Sequence, residues 1–166
     1  MKQHEVIPED VAWKLQQSDG YMDLRMWARS REALASIPME HWDRTDFRKL
    51  RLRLALAEHD WPYAALLASN LREDEPDEPR YWIQLAQAMR LHMNVEEARH
   101  ILREALGRFP EKAAIAFDLA CCECRMGNPH QALRYLDRAI RIDPVYRNRA
   151  LEHTDLQPLW SELACD

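Results

Sequence analysis

Cys121 and Cys124 stand three residues apart in the stretch LACCECRMG, residues 119–127, with Cys122 between them and Cys165 near the end of the chain. A C-x-x-C spacing serves two chemistries, metal coordination and thiol–disulfide exchange, because on a helix it brings two sulfurs to one face. A tetrahedral zinc site takes four ligands, however, and the chain has neither a second C-x-x-C nor an H-x3-5-H pair. His92 and His130, the nearest further donors, fall at turns between helices. LEHTDL places His153 two residues before Asp155, with no nucleophile attached to the pair by sequence. The carboxylate pairs Glu96–Glu97 and Asp74–Glu75 read as a helix first turn and a solvated loop. There is no G-x-S-x-G elbow, no Gly-rich phosphate loop and no H-E-x-x-H helix. Small side chains at a helix interface are therefore expected at the cysteines, with no cofactor and no enzymatic activity. A thiol- or metal-dependent sensor built on Cys121 and Cys124 is the chemical alternative.

What positions these residues is helix. The chain has 166 residues, 47% of them hydrophobic, which suits one domain with a core of its own. Only 3 Gly and 9 Pro argue against a strand-and-turn architecture. A net charge of −5 argues against a general nucleic-acid binder. The first ten residues carry no apolar leader, and no stretch of 18 apolar residues offers a membrane span. A cytoplasmic protein with reduced thiols is the expectation.

Comparing the sequence with itself shows a period. Residues 79–112 set above 113–146 with no gap align Leu85 with Leu119, Ala86 with Ala120 and Asn94 with Asn128. Ala98 falls on Ala132, Leu102 on Leu136, Ala105 on Ala139 and Pro110 on Pro144. Each unit reads as helix, tight turn, helix, closed by its proline. Asn94 with Glu97 offers a capping box, and Asn128, Pro129 and Gln131 repeat the arrangement. Ala98 with Ala105, and Ala132 with Ala139, share a face two turns apart, where small residues let helices approach closely.

These residues resemble the tetratricopeptide repeat, a 34-residue helix–turn–helix family. Trp82 matches the bulky aromatic at its fourth position, and Leu85–Ala86 and Leu119–Ala120 match its seventh and eighth. The alanines and prolines match positions twenty, twenty-seven and thirty-two. Ala116 stands where the aromatic is usual and Met93 where glycine is usual, whereas Gly127 fits. Residues 45–78 continue the phase through Ala64 and Pro76, with Asp60 and Pro62 as cap and first turn. Its first helix departs, since LRLRLAL alternates like a strand. As a helix it would set Phe47, Leu50, Leu54 and Ala57 on one face and Leu52 and Leu56 nearly opposite, which suits the middle of a stack.

The resemblance implies an all-α, right-handed α-α superhelix, a solenoid of about three repeats (45–78, 79–112, 113–146) in a single domain. N-terminal (1–44) and C-terminal (147–166) capping helices would close its ends. The N-terminal cap reads as helices over 9–17 and 21–37, with Trp27, Leu24, Ala28 and Leu34 or Ala35 covering the first repeat. Trp13 and Trp42 are expected inside that cap, or, if exposed, as the contact of a homodimer. At the other end Thr154 and Gln157 suggest a capping box, with Leu156, Leu159, Trp160 and Leu163 facing the last repeat.

The family typically binds a peptide or protein partner on the inner face of its first helices. Carrying over those positions gives Arg80, Ile83, Gln84, Gln87, Arg90 and Leu91 from one repeat. The next contributes Ala114, Phe117, Asp118, Cys121, Cys124 and Arg125, and the weak repeat adds Arg48, Lys49, Leu52 and Leu56. Five cations, Arg48, Lys49, Arg80, Arg90 and Arg125, would favour an acidic segment or the C-terminus of a partner protein. Leu52, Ile83, Leu91 and Phe117 would add apolar contact. The Lys and Asn set with which some relatives clamp chaperone C-termini is replaced by Arg48, Leu52, Gln84, Ala114 and Asp118, so that specialisation is not expected. An interaction adaptor is the reading, with a small chaperone of the type III secretion translocator class as the alternative.

Overall fold

In the computed structural model, which describes residues 7–92 and 94–163, the protein divides into two compact units, one ending at Leu67 and the other beginning at Ala68. Cys165 and Met93 lie outside the described residues. Every regular element among the described residues is helical. None of these helices is long and apolar enough to cross a membrane.

The first unit holds α1 (Glu9–Asp23), α2 (Trp27–Ala35), a 3-10 turn (Met39–His41), α3 (Thr45–Ala57) and the start of α4 (Trp61–Asp74). Val11, Leu15, Met22, Leu34, Ile37, Phe47 and Leu54 form its core. Ser18 and Ser30, both fully buried, share a hydroxyl hydrogen bond of 2.8 Å where α1 meets α2. The break between these helices lies at 24–26, not at 18–20 as expected. Gly20 stays helical because its cost there is only about 1 kcal/mol, and buried Ser18 and Met22 hold the turn on either side of it. The backbone reverses at Arg25 instead, which adopts a positive φ of 56°. Leu24 is consequently 71% exposed and covers nothing, whereas Leu34 is fully buried. Trp13 also departs from expectation, at 59% exposed. It lies two residues from both Val11 and Leu15, on the opposite side of the helix from the buried face. Trp42 is also exposed, at 40%, though it is held on one side: its indole N–H donates to the Ile37 carbonyl at 2.9 Å, and its ring stacks on Phe47 at 5.8 Å. The alternating LRLRLAL stretch is helical, with Leu52 and Leu54 both buried.

The second unit continues α4 and adds α5 (Pro79–Leu91), α6 (Val95–Arg108), α7 (Ala113–Arg125), α8 (Pro129–Ile142) and α9 (Val145–Glu152). A 3-10 segment (Thr154–Leu159) and α10 (Trp160–Leu163) close it. Consecutive helices pack as hairpins, α5 on α6, α6 on α7 and α7 on α8, which is the stacked arrangement of a helical-repeat solenoid. Ala98, Ala105, Ala132 and Ala139 are all fully buried at the seams. At each seam a larger side chain would force the helix axes apart. The turns repeat as well. Gly127 has φ 76° and His59, two periods upstream, has φ 61°. In both turns the next residue donates its backbone N–H five residues back, Asn128 to Glu123 and Asp60 to Ala55. A left-handed conformation is free for Gly127 and costs His59 about 1–2 kcal/mol. The His59 ring stacks on Trp61 at 5.0 Å.

Capping follows the sequence in part. The Asn94 side chain accepts from the Glu97 N–H at 3.2 Å, and Asp60 accepts from the Tyr63 N–H at 3.3 Å. Asn128 does not cap α8; its side-chain amide donates to Glu123 at 3.0 Å. Pro129, which has no N–H to satisfy, makes that diversion inexpensive. The expected box at Thr154 and Gln157 is absent because residues 154–159 form a 3-10 segment with Pro158 inside it.

Trp82 is the anchor of α5, 3% exposed, with its indole N–H donating to the Pro76 carbonyl at 2.9 Å. Phe109 meets it edge-on, and the guanidinium groups of Arg72 and Arg108 lie 4.9 and 5.3 Å from the ring centre. Trp82→Ala should cost about 3–5 kcal/mol in urea-induced unfolding. A loss below about 1 kcal/mol would show that the ring carries no core packing and that the repeat register is misplaced.

Candidate functional site

The expected inner-face residues do not all reach a surface. Arg80 and Arg125 are exposed, Leu91 is 39% exposed, and Ile83, Gln84, Gln87 and Cys124 are half-buried. In the first unit Lys49 is exposed, Arg48 half-buried and Leu52 buried. Arg90 is the main departure. At 5% exposed it is not an open cation, because two carboxylates draw it inward.

The Arg90 guanidinium donates through Nη1 to Asp155 on the 3-10 segment. Its Nη2 lies 3.9 Å from Asp118 on α7. Asp118 also accepts from the Gln87 side-chain amide at 3.0 Å. One side chain on α5 thus ties down α7 and a segment 65 residues further along the sequence. Burial pushes the Asp118 carboxyl up to about 6, and Asp155 adds to the rise, against the pull of Arg90 and of the Gln87 hydrogen bond.

Around this tie the inner side of α7 is covered by the C-terminal segment. Phe117 packs against the rings of Tyr146 at 5.1 Å and His153 at 5.5 Å. Cys121 lies beneath, fully buried, with its sulfur 3.7 Å from His153 Nδ1. The sequence leaves His153 and Asp155 without a sulfur partner, and the fold brings the Cys121 thiol to them from 32 residues away. Cys121 turns to His153, and Cys124 sits half-buried. Burial pushes all three described thiols up, Cys122 to about 12 and Cys124 to about 11. Reactive cysteines require the opposite shift, so at neutral pH these are protonated core groups. His153 is lowered by burial first and by the Arg90 charge second, which leaves it neutral at pH 7.

What remains open is a cleft of about 380 Å³. Gln87 and Arg90 form one side, Ala114, Phe117 and Asp118 the floor, and Tyr146, Arg149, Glu152 and His153 the other side. Arg149, exposed and 5.0 Å over the Tyr146 ring, is a cation that the repeat pattern did not single out, because α9 falls outside it. Glu123 was missed as well. Only 1% exposed, it lies between Arg99 at 3.7 Å and Arg103 at 3.9 Å, behind α7. A polar residue amid LACCECR carries no signal of burial.

Residues 92–151 match the model of a tetratricopeptide repeat family. Protein FlbA of Caulobacter vibrioides is 29% identical over 136 residues, which is 80% of this chain. The chain spans only 22% of the length of that curated relative. Among solved structures, MamA from MSR-1 superposes with a TM-score of 0.73 at 20% identity, over 84% of this chain and 82% of that one. The pilF protein of Pseudomonas aeruginosa superposes with a TM-score of 0.69 at 19% identity, over 93% and 69%. At such identities the likeness is one of fold.

The Asp118 shift has a measurable consequence. Its carboxyl rises from an ordinary 3.8, so between about pH 4 and 6 this group holds its proton more in the folded state than in the unfolded one. The stability that Asp118 contributes is therefore full below about pH 4 and is lost as the pH rises through about 6. Asp118→Asn has no such titration, and His153 titrates in both proteins. From pH 4 to 7 the wild type should lose stability relative to this variant by on the order of 1–3 kcal/mol, read from urea unfolding at each pH. A flat difference would mean that Arg90 fully offsets the burial.

Proposed function

With residues 92–151 matching the model of a tetratricopeptide repeat family, we propose that this protein is a non-enzymatic adaptor that holds a segment of a partner protein in the cleft between α5, α7 and α9. The observation that carries this reading is the composition of that cleft. Phe117 on the floor and Tyr146 on the side stand together beside one exposed cation, Arg149, with Gln87 and Glu152 as further polar groups. Apolar floor and few convergent polar groups are what a binding cleft requires. Arg80, Ile83 and Gln84 extend the same face along the first turns of α5.

Arg90 then acts from behind, holding Asp118 and Asp155 in place, and the contact with an acidic partner segment passes to Arg149. A guanidinium there offers paired donors to a carboxylate. Burial of the thiols supports a structural role for Cys121, Cys122 and Cys124 in this adaptor, and a reducing, cytoplasmic setting suits them.

Selection of peptides from a displayed random library against the protein, followed by affinity measurement, tests the reading. Acidic peptides with an aromatic or aliphatic anchor are expected. Arg149→Glu should weaken them by about tenfold or more, whereas reversal of the exposed Arg141 on α8 should leave them unchanged. Peptides that bind both variants equally would remove the cleft from the account.

A further inference from the structure

We propose that Cys121, His153 and Asp155 form a site for a borderline-soft divalent metal, zinc above all, that fastens the C-terminal segment to α7. The inference does not depend on the adaptor reading. The Cys121 sulfur, a His153 ring nitrogen and an Asp155 carboxylate oxygen all lie within 4.8 Å of one another. The three come from α7, from the end of α9 and from the 3-10 segment that follows. No two are close enough in sequence to meet for local reasons except His153 and Asp155.

The geometry suits coordination. With Zn–S of about 2.3 Å and Zn–N of about 2.0 Å meeting at the tetrahedral angle, sulfur and nitrogen stand about 3.5 Å apart. Cys121 Sγ and His153 Nδ1 are 3.7 Å apart. A thiolate, an imidazole and a carboxylate are the three donor types that zinc takes from proteins, and three protein ligands leave one position for water. His153 lines the open cleft, which gives the ion a path to a sulfur that is otherwise buried.

The surroundings serve as an outer shell. Arg90 donates to Oδ2 of Asp155 and so holds that carboxylate in place, while the edge-on contact with Phe117 orients the imidazole. Charge also balances. Asp118, Asp155 and a Cys121 thiolate, set against Arg90, leave two negative charges, which a divalent cation neutralises. On binding, the S–H bond breaks, the S–metal bond forms, and one proton goes to solvent. Because the thiol must lose that proton, affinity should rise with pH. Cys124, one turn further along α7, is not part of the set.

Cobalt(II) is the probe, added to the reduced 166-residue chain. The expected result is a thiolate-to-cobalt charge-transfer band in the near ultraviolet with the intense visible bands of four-coordinate cobalt. Both should saturate at one ion per protein molecule and be displaced by zinc. Cys121→Ser should abolish the charge-transfer band, His153→Gln should weaken binding about 100-fold, and Cys124→Ser should change neither. Zinc should raise the melting temperature of the wild type and not that of His153→Gln. Absence of the charge-transfer band in the wild type would overturn the proposal, as would its survival in Cys121→Ser or its loss in Cys124→Ser. Should Cys121→Ser fail to fold, His153→Gln decides, and undiminished binding there would also overturn it.

Discussion

A guanidinium with almost no access to water governs the inner side of the second unit. Arg90 is 5% exposed and sits between Asp118 and Asp155. A buried charge is tolerated only when paired, and losing one partner of such a pair typically costs about 3–5 kcal/mol. The pairing therefore constrains three elements at once. It holds α5 to α7, and it pulls the 3-10 segment back across α7. That return brings His153 over Cys121 and Phe117 and closes the end of the helical stack with Leu156, Leu159 and Leu163 as apolar cover.

The same constraint divides the inner face into two chemistries. Beneath the C-terminal segment the environment is dry: thiols stay protonated, the Asp118 carboxyl is raised, and the imidazole is neutral. Beside it the cleft is open and lined by longer side chains, Gln87, Arg149 and Glu152, next to the Phe117 and Tyr146 rings. A face that the repeat pattern presents as one uniform groove is thus part core and part surface. Groups that a partner can touch are those left outside the reach of the C-terminal return.

Burial on this face is decided by electrostatics as much as by hydrophobicity. Glu123, which stands between cysteines in sequence, is buried because Arg99, Arg103 and the Asn128 amide surround it. That arrangement diverts Asn128 from the cap of α8 and leaves Pro129 to begin the helix. Ser18 and Ser30 show the neutral version in the first unit, where two small hydroxyls satisfy each other at a close helix crossing. In each case a polar side chain is inside because its partner is there too.

Much of the fold was legible in the sequence. Alanines at fixed phase predict the close helix seams, and all four in the two clear repeats are fully buried. Gly127 marks a left-handed turn residue, Trp82 a core anchor, and Asp60 and Asn94 two caps. These features depend on neighbours within one or two turns, or on a period that repeats the same contact, so composition and spacing suffice to specify them. The tertiary structure alone decided the rest. Nothing local distinguishes buried Arg90 from exposed Arg125, or reveals that Cys121 would meet His153 and not Cys124. Nor does spacing foretell that Gly20 continues a helix while Arg25 ends it. A charge or thiol takes its state from whatever the fold sets against it, and here that partner lies in a non-repeating segment tens of residues away, whose course is fixed only when the ion pair and the apolar cover form together.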